Sequence, residues 1–411
     1  MKLTPKGMRD IGPEDMFVRE EVVEKIRRMF QLYGYRPLET PAMEYLETLR
    51  AKAGEEVDKQ IFMIEGGEYG LRFDLTVPLA RYAAASDAPK PFKRYAIDVV
   101  WRKEEPQRGR FREFYQADAD IIGSSSMRCE AELLSIANTL CISFGFPKPR
   151  ILLNNRKILE GIAAKLELGK NKGETFRVLD KLDKIGEAEV EKLINEILGK
   201  KKAKELLDIV NTKGDNKKKL AVAAKFSPDG AKELEVILAL WGPGSEIEVS
   251  LPLARGLGYY TGPVFEIKLS EGIGTVMAGG RYDELIGVYG QPTPATGISI
   301  GIERLVTLIT ERKKATKKTD TRIFLAAVKP EQYSYALEVA AKFRIAGVEC
   351  ETDLNERNLR KQFDYANSLS IPFVGVVGER EMKDGTVTLR DMTSGKEENV
   401  KVEDAIKRLR H

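Results

Sequence analysis

The sequence predicts an α+β fold shared among several domains, and three observations carry that prediction. The first 164 residues mix apolar-periodic helical segments with separate strand-like runs. Residues 165–245 change character: Lys and Glu dominate, and apolar residues recur at helical spacing. Beyond a charged stretch ending at residue 320, the chain alternates strand, helix, strand, helix, strand. Its 411 residues exceed what one hydrophobic core organises.

Taken in order, Glu14 to Leu32 places Phe17, Val22, Val23, Ile26, Met29 and Phe30 at helical spacing, with Gly34 as a stop signal. Tyr35 to Pro41 is held extended by its prolines. Strand-like runs follow at Tyr69 to Phe73, Phe92 to Trp101 and Phe114 to Ile122. Arg128 to Ser143 reads as a helix and Ile151 to Asn154 as a strand. In residues 165–245, Val190, Leu193, Ile194, Ile197 and Leu198 define an amphipathic helix, so this stretch reads as an inserted helical domain. Its run Gly199-Lys200-Lys201-Lys202 suits a phosphate backbone, although a solvated charged face is the plainer meaning. Residues 246–320 return to strands and glycines: Ile247 to Leu253, Val264 to Leu269 and Ile298 to Gly301, then a helix from Ile302 to Thr310. A charged linker, Arg312 to Asp320, leads to residues 321–411. There Ile323 to Val328, Val348 to Thr352 and Phe373 to Val377 are strands, Glu331 to Ile345 and Asn358 to Leu369 are helices, and Asp384-Gly385 suggests a hairpin turn.

Composition narrows the function. With 32% charged residues, no stretch approaches the roughly 18 apolar residues of a membrane span. The N-terminus lacks an apolar signal segment, so a cytoplasmic protein is expected. High charge with few Cys and Gln fits a thermophilic source and plain solubility alike. Cys129, Cys141 and Cys350 form no C-x-x-C pair, which suggests neither a disulfide framework nor zinc. The single histidine is His411, which excludes a Ser-His-Asp triad, a histidine general base and a histidine metal site within this chain. A net charge of +4 is compatible with nucleic acid without pointing to it.

Three clusters combine arginines with glycines. Trp101 to Gln116 is an Arg-loaded, Pro/Gly-bearing loop between strand-like runs, apt to present guanidinium forks to phosphates. Ala254-Arg255-Gly256-Leu257-Gly258-Tyr259-Tyr260-Thr261-Gly262 is the second. The third is Ala278-Gly279-Gly280-Arg281-Tyr282-Asp283, followed by Gly297 to Leu305, where a glycine-rich strand enters a helix with an early arginine.

Together these clusters resemble the class II aminoacyl-tRNA synthetases. Gly34-Tyr35 with Pro41 resembles motif 1, Arg102-x-Glu104 motif 2, and Gly301-Ile302-Glu303-Arg304 motif 3. Arg255-Gly256-Leu257-x-Tyr259-Tyr260 and Ala278 to Asp283 resemble the two histidine-specific boxes of the histidyl-tRNA synthetase family. Asp74 to Arg81 is similar to that family's amino-acid-binding strand, in its archaeal and eukaryotic form, and Val376 to Glu379 to the shared anticodon-binding fold. One departure stands out: Gly258 occupies the position where the first box usually has Asp.

The resemblance implies an antiparallel catalytic sheet flanked by helices, interrupted by the helical insertion and followed by a C-terminal α/β anticodon-binding domain. It implies a symmetric homodimer. It implies activation of histidine by ATP, with Mg2+ and without zinc, and transfer to tRNA(His), with no membrane partner. Asp74, Thr76 and Gln116 would hold the amino group of histidine, and Asp120 and Tyr260 the imidazole, with Tyr259 and Tyr282 shaping the pocket. Arg102 would bind the α-phosphate, Phe114 stack on adenine, and Glu104 meet the adenine edge. Arg110 or Arg112, with Arg304, would hold the outer phosphates, and Arg255 would bridge carboxylate and α-phosphate. The metal ligands stay unknown. Rival readings are a class II synthetase for threonine, proline or glycine, a non-charging paralogue regulating histidine biosynthesis, and a non-catalytic tRNA sensor. The histidine boxes oppose the first, and the last domain with Arg255 opposes the second. The full set of ATP-facing arginines opposes the third.

Overall fold

The computed structural model describes residues 4–51, 58–241, 247–254, 258–270, 272–312 and 317–410. Arg255, Gly256, Leu257, His411 and part of the charged linker, 313–316, lie outside these described residues. The chain divides into two compact units: Met1–Asp10 with Arg19–Arg312, and Ile11–Val18 with Lys313–His411.

The first unit is built on an eight-stranded sheet: β1 (Arg36–Pro37), β4 (Phe92–Trp101), β5 (Glu113–Ile122), β6 (Arg150–Asn155), β7 (Ile247–Val249), β8 (Pro263–Lys268), β9 (Thr275–Arg281) and β10 (Ala295–Gly301). The spatial order is β1-β4-β5-β10-β9-β8-β6-β7. The six central strands run antiparallel, and each edge strand pairs parallel. A small ribbon, β2 (Met43–Tyr45) with β3 (Tyr69–Leu71), lies apart from this sheet. In the helix Pro13–Leu32, Val22, Ile26 and Phe30 recur every fourth residue and are buried. The Phe30 ring lies 5.6 Å from that of Tyr95 on β4, which fixes the helix to the sheet. Helix Arg128–Ser143 buries Leu133, Leu134, Ile136, Ala137 and Leu140. The buried ion pair of Arg281 on β9 with Glu130, at 2.8 Å, joins this helix to the sheet.

Between β6 and β7 the chain is helical: Arg156–Lys165, Lys172–Leu179, Leu182–Leu198, Lys200–Val210, Asn216–Ala223 and Pro228–Leu240. Val190 and Ile194, on the stripe expected from the sequence, are fully buried. Gly199, with φ of 78°, separates two of these helices, and the lysine run begins the second.

Asp74 to Arg81, expected as a strand, is instead the start of a helix, Thr76–Ala84. The Asp74 carboxylate accepts the otherwise unpaired amides of Thr76 and Val77 at 3.2 and 2.9 Å. Pro78 fits in the first turn, where no amide is needed.

The second unit holds a five-stranded sheet in the order β12-β11-β13-β14-β15. These strands are β11 (Ile323–Ala327), β12 (Cys350–Thr352), β13 (Phe373–Val377), β14 (Thr386–Asp391) and β15 (Glu397–Lys401). The first three are parallel, and β14 and β15 add antiparallel. Alternate residues of β11 enter two cores, Ile323 and Leu325 on one side, Phe324 and Ala326 on the other. Burial on both faces explains its unbroken apolar sequence. The expected hairpin turn at Asp384-Gly385 is a helix end: Glu379–Asp384 is helical, and Gly385, with φ of 66°, terminates it in the left-handed conformation. The Asp-Gly pair is chemically suited to both, and the preceding helical turn decides between them.

Candidate active site

Along β5, side chains alternate between the two sheet faces, so Gln116, Asp118 and Asp120 share one face. All three are buried and line a cleft of about 1610 Å³. That volume exceeds the roughly 300–1,000 Å³ of a single small-molecule pocket and admits more than one ligand.

Asp120 is enclosed by partners on both oxygens. Its carboxylate lies 2.8 Å from the guanidinium of Arg94, and both side chains are buried. The Tyr282 hydroxyl donates to its other oxygen. Room for this arrangement comes from β10: a Cβ on Gly297 would meet Asp120 Oδ1 at 1.9 Å. Gly280 is constrained likewise, since a Cβ there would approach the carbonyl of Pro263 at 2.6 Å and the Tyr260 ring at 3.1 Å. Tyr259 meets Tyr260 and Tyr282 edge-on, with ring centroids 4.8 and 6.0 Å apart. Burial, with nearby acidic groups, holds the Tyr259 and Tyr282 hydroxyls well above their usual pKa. They therefore stay protonated and able to donate.

Three carboxylates crowd this floor. Burial raises the pKa of Asp74 against its amide bonds and the pull of Arg102. Burial likewise raises Asp120 against Arg94 and the Tyr282 hydrogen bond. Asp118, without a salt-bridged cation among the described residues, is pushed to about 7 by burial and then by its neighbour Asp120. Ser299, its register partner on β10, hydrogen-bonds its carboxylate. Gln116 Nε2 donates to the Ser299 hydroxyl at 2.8 Å.

The walls carry the arginines. Arg102 Nε donates to the Phe73 carbonyl at 2.8 Å, its Nη2 lies 3.4 Å from Gln116 Oε1, and its guanidinium sits 5.2 Å from the Phe114 ring centroid. One residue is thereby shared between floor and loop. Arg110 pairs with Glu104, and Arg304 Nη1 donates to the Thr275 carbonyl. Glu303, also on the cleft lining, is paired with Arg9 and Arg19 at 2.9 and 2.6 Å. Of the expected site residues, Asp74, Thr76, Arg102, Glu104, Arg110, Phe114, Gln116, Asp120, Tyr259, Tyr260, Tyr282 and Arg304 line the one cleft. Arg112 does not: its Nε donates to the Glu104 carbonyl at 2.9 Å, bracing the loop from behind. Arg255 lies outside the described residues.

Sequence reasoning passed over Asp118, Ser299 and Arg94. The alternation along Glu113–Ile122 was the available signal for Asp118, since it shares a face with Gln116 and Asp120. Nothing local marks Arg94, whose partner is 26 residues away in sequence and adjacent only through the β4–β5 register.

A buried acidic and phenolic floor beside arginine-bearing walls suits a small ligand with an ammonium group next to a polyanion, the pairing used by enzymes that activate an amino acid with a nucleotide. Comparison with known proteins narrows this further. Residues 7–305 match the model of the histidyl-tRNA synthetase family, and residues 322–411 match that of an anticodon binding domain. The chain is 39% identical to a histidine–tRNA ligase of Bacteroides fragilis, over 98% of this chain and 97% of that one. It is 38% identical to one of Aeropyrum pernix, over 98% and 96%. These two relatives are a bacterium's and an archaeon's, so the likeness is not confined to the archaeal form. The crystal structure of histidyl-tRNA synthetase from Nostoc sp. PCC 7120 superposes with a TM-score of 0.83 at 30% identity, covering 99% of both chains. The chain belongs to the histidyl-tRNA synthetase family.

Proposed function

We propose that this chain activates histidine with ATP and transfers it to the 3′ end of tRNA(His). The observation that carries this reading is the shared position of Arg102, between the carboxylate floor and the arginine-bearing walls of a single cleft. A ligand lying along the floor would meet Gln116 and Asp74 at its ammonium end, and Asp120, Tyr260 and Tyr282 at its ring. A site that pairs a ring's polar edge leaves buried groups unsatisfied when an apolar ring enters, which supports discrimination. The carboxylate then faces Arg102. As a carboxylate oxygen bonds to the α-phosphorus, the bond to the bridging oxygen breaks and pyrophosphate leaves. Negative charge grows on the equatorial oxygens, where fixed guanidinium groups stabilise it. Both reactants are already ionised, so no general base is needed. Arg255 is assigned to the same oxygens from its motif position.

Mg2+ would accompany ATP, bound mostly by phosphates and water. Among the described residues no three His, Cys, Asp or Glu side chains cluster to cage a metal. The buried carboxylate of Glu266 on the cleft wall has the chemistry to meet an ion brought with ATP. Residues 1–164 and 246–320 are assigned to catalysis, 165–245 to an insertion, and 321–411 to the anticodon. In the last segment Arg360 and Lys361 are exposed and available to phosphates, whereas Arg357 is engaged by Asp353 at 2.9 Å and by the Tyr365 ring. Exposed Met43, Tyr45 and Met63 support a homodimer. No helix among the described residues is long and apolar enough to cross a membrane, and a cytoplasmic site of action is proposed.

The test is amino-acid-dependent exchange of pyrophosphate into ATP, across all twenty amino acids. Exchange with histidine alone is expected. Exchange supported equally by threonine or proline would refute the reading, and exchange without charging of tRNA(His) would favour a regulatory paralogue.

A further inference from the structure

We propose that Asp118 is the counter-charge that receives the ammonium group of the amino-acid substrate and so sets the site's demand for an α-amine; this rests on the histidine-activating reading above. Asp118 is 2% exposed and lines the cleft, yet its Oδ1 has no hydrogen-bond partner among the described residues. Buried carboxylate oxygens are ordinarily paired, so one left open toward a cleft is suited to a ligand. The other two carboxylates each have a backbone or charged partner already. Asp74 uses an oxygen on the amides of Thr76 and Val77. Asp120 has one oxygen against Arg94 and the other under the Tyr282 hydroxyl.

Charge leads to the same place. When all three are ionised, Asp74, Asp118 and Asp120 outnumber by one the guanidinium groups of Arg94 and Arg102 that face them among the described residues. At neutral pH the ammonium of an amino acid is fully charged, whereas an imidazole is largely neutral. The ammonium is therefore the group that balances the floor. Hydrogen-bond direction agrees. Gln116 donates to Ser299, and Ser299 bonds Asp118, so the Gln116 amide is turned with its Oε1 toward Arg102. Asp118 and Gln116 stand two residues apart on the same face of β5, a spacing that three N–H donors on one nitrogen can use together with Asp74.

The experiment compares histidinol with 3-(imidazol-4-yl)propan-1-ol, which lacks the amine, by calorimetric titration of wild type and Asp118→Asn. Wild type should prefer histidinol by at least about 10-fold, the scale of a charge-assisted hydrogen bond. In Asp118→Asn that preference should fall by about 10-fold or more, with affinity for ATP unchanged. Asn keeps the shape and removes a buried charge, so the fold should persist; Asp118→Ser is the second variant, with the same expectation. An unchanged preference ratio in a folded variant would overturn the assignment, as would equal loss of both compounds, which marks a ring contact or a purely structural role. Wild type that binds both compounds equally well would overturn the assignment alone. Wild type that binds neither would overturn the histidine reading, and the assignment with it.

Discussion

The floor and the walls of the cleft use the same residue types in opposite ways. On the floor, arginine and aspartate are withdrawn from water, as in the pair of Arg94 with Asp120. On the arginine-bearing loop, arginine and glutamate are more exposed, from Arg110 with Glu104, where the arginine is about a third exposed, to the exposed pair of Arg108 with Glu311. Buried charges cannot rearrange cheaply, so the floor arrives pre-shaped for one small ligand. Wall charges are screened and can exchange an internal carboxylate for an incoming phosphate. On the proposed function, rigid reading of an amino acid and adaptable clamping of a polyphosphate would follow from this difference in depth.

The strongest way to break this comparison is Asp120→Ala. Leaving Arg94 buried without its partner should cost about 3–5 kcal/mol of stability, visible as a lowered denaturation midpoint. A loss below about 1 kcal/mol would mean the floor is solvated like the walls. Next comes Arg102→Ala, which spans both regions. Histidine-dependent adenylation should slow by about 10²–10³, and Lys should restore little because it cannot fork between two acceptors. Single-turnover rates within threefold of wild type would show that the walls alone carry the chemistry.

A pH titration sharpens the comparison without removing a contact. Asp118 has a folded pKa of about 7 against an ordinary value of 3.8. The folded state then binds more protons than the unfolded state between those values, so this residue lowers stability as pH rises from about 4 to about 7. Asp74, Asp120, Arg94 and the Tyr259 hydroxyl surround it, and the first two carboxylates shift in the same direction. Asp118→Asn should therefore flatten part of that slope in urea melts at pH 5 and pH 8. An identical slope in wild type and variant would contradict the floor's burial. The smallest effect is expected for Arg108→Ala on the loop. Its exposed pair with Glu311 should contribute at most about 1 kcal/mol, and thermal melting should barely shift.

Much of this was legible in the sequence because it depends on periodicity and on local glycine and arginine patterns. The strand Phe92–Trp101 and the helix Arg128–Ser143 were expected with the boundaries found. Asp74 to Arg81 was misjudged because a strand was inferred from likeness, while the deciding interaction is a carboxylate capping two amides just ahead of Pro78. Arg112 looked equivalent to Arg110 along the chain, and only the loop's conformation separates the one facing the cleft from the one behind it. Arg94 and Ser299 gained their meaning from strand register, which no local pattern encodes.

That register has a consequence for how the protein is made. Arg94, Asp120, Gly297, Gly280, Val264 and Asn154 are consecutive cross-strand partners, one rung across six strands. A slip of one residue between β5 and β10 would bring Ile298 or Thr296 opposite Asp120, in place of the only side chain small enough to admit its carboxylate. Sequence errors aside, a wrongly zipped sheet cannot assemble the pocket at all. On the proposed function, histidine binding reports on strand alignment: a chain that captures the amino acid there has its β5–β10 register correctly set.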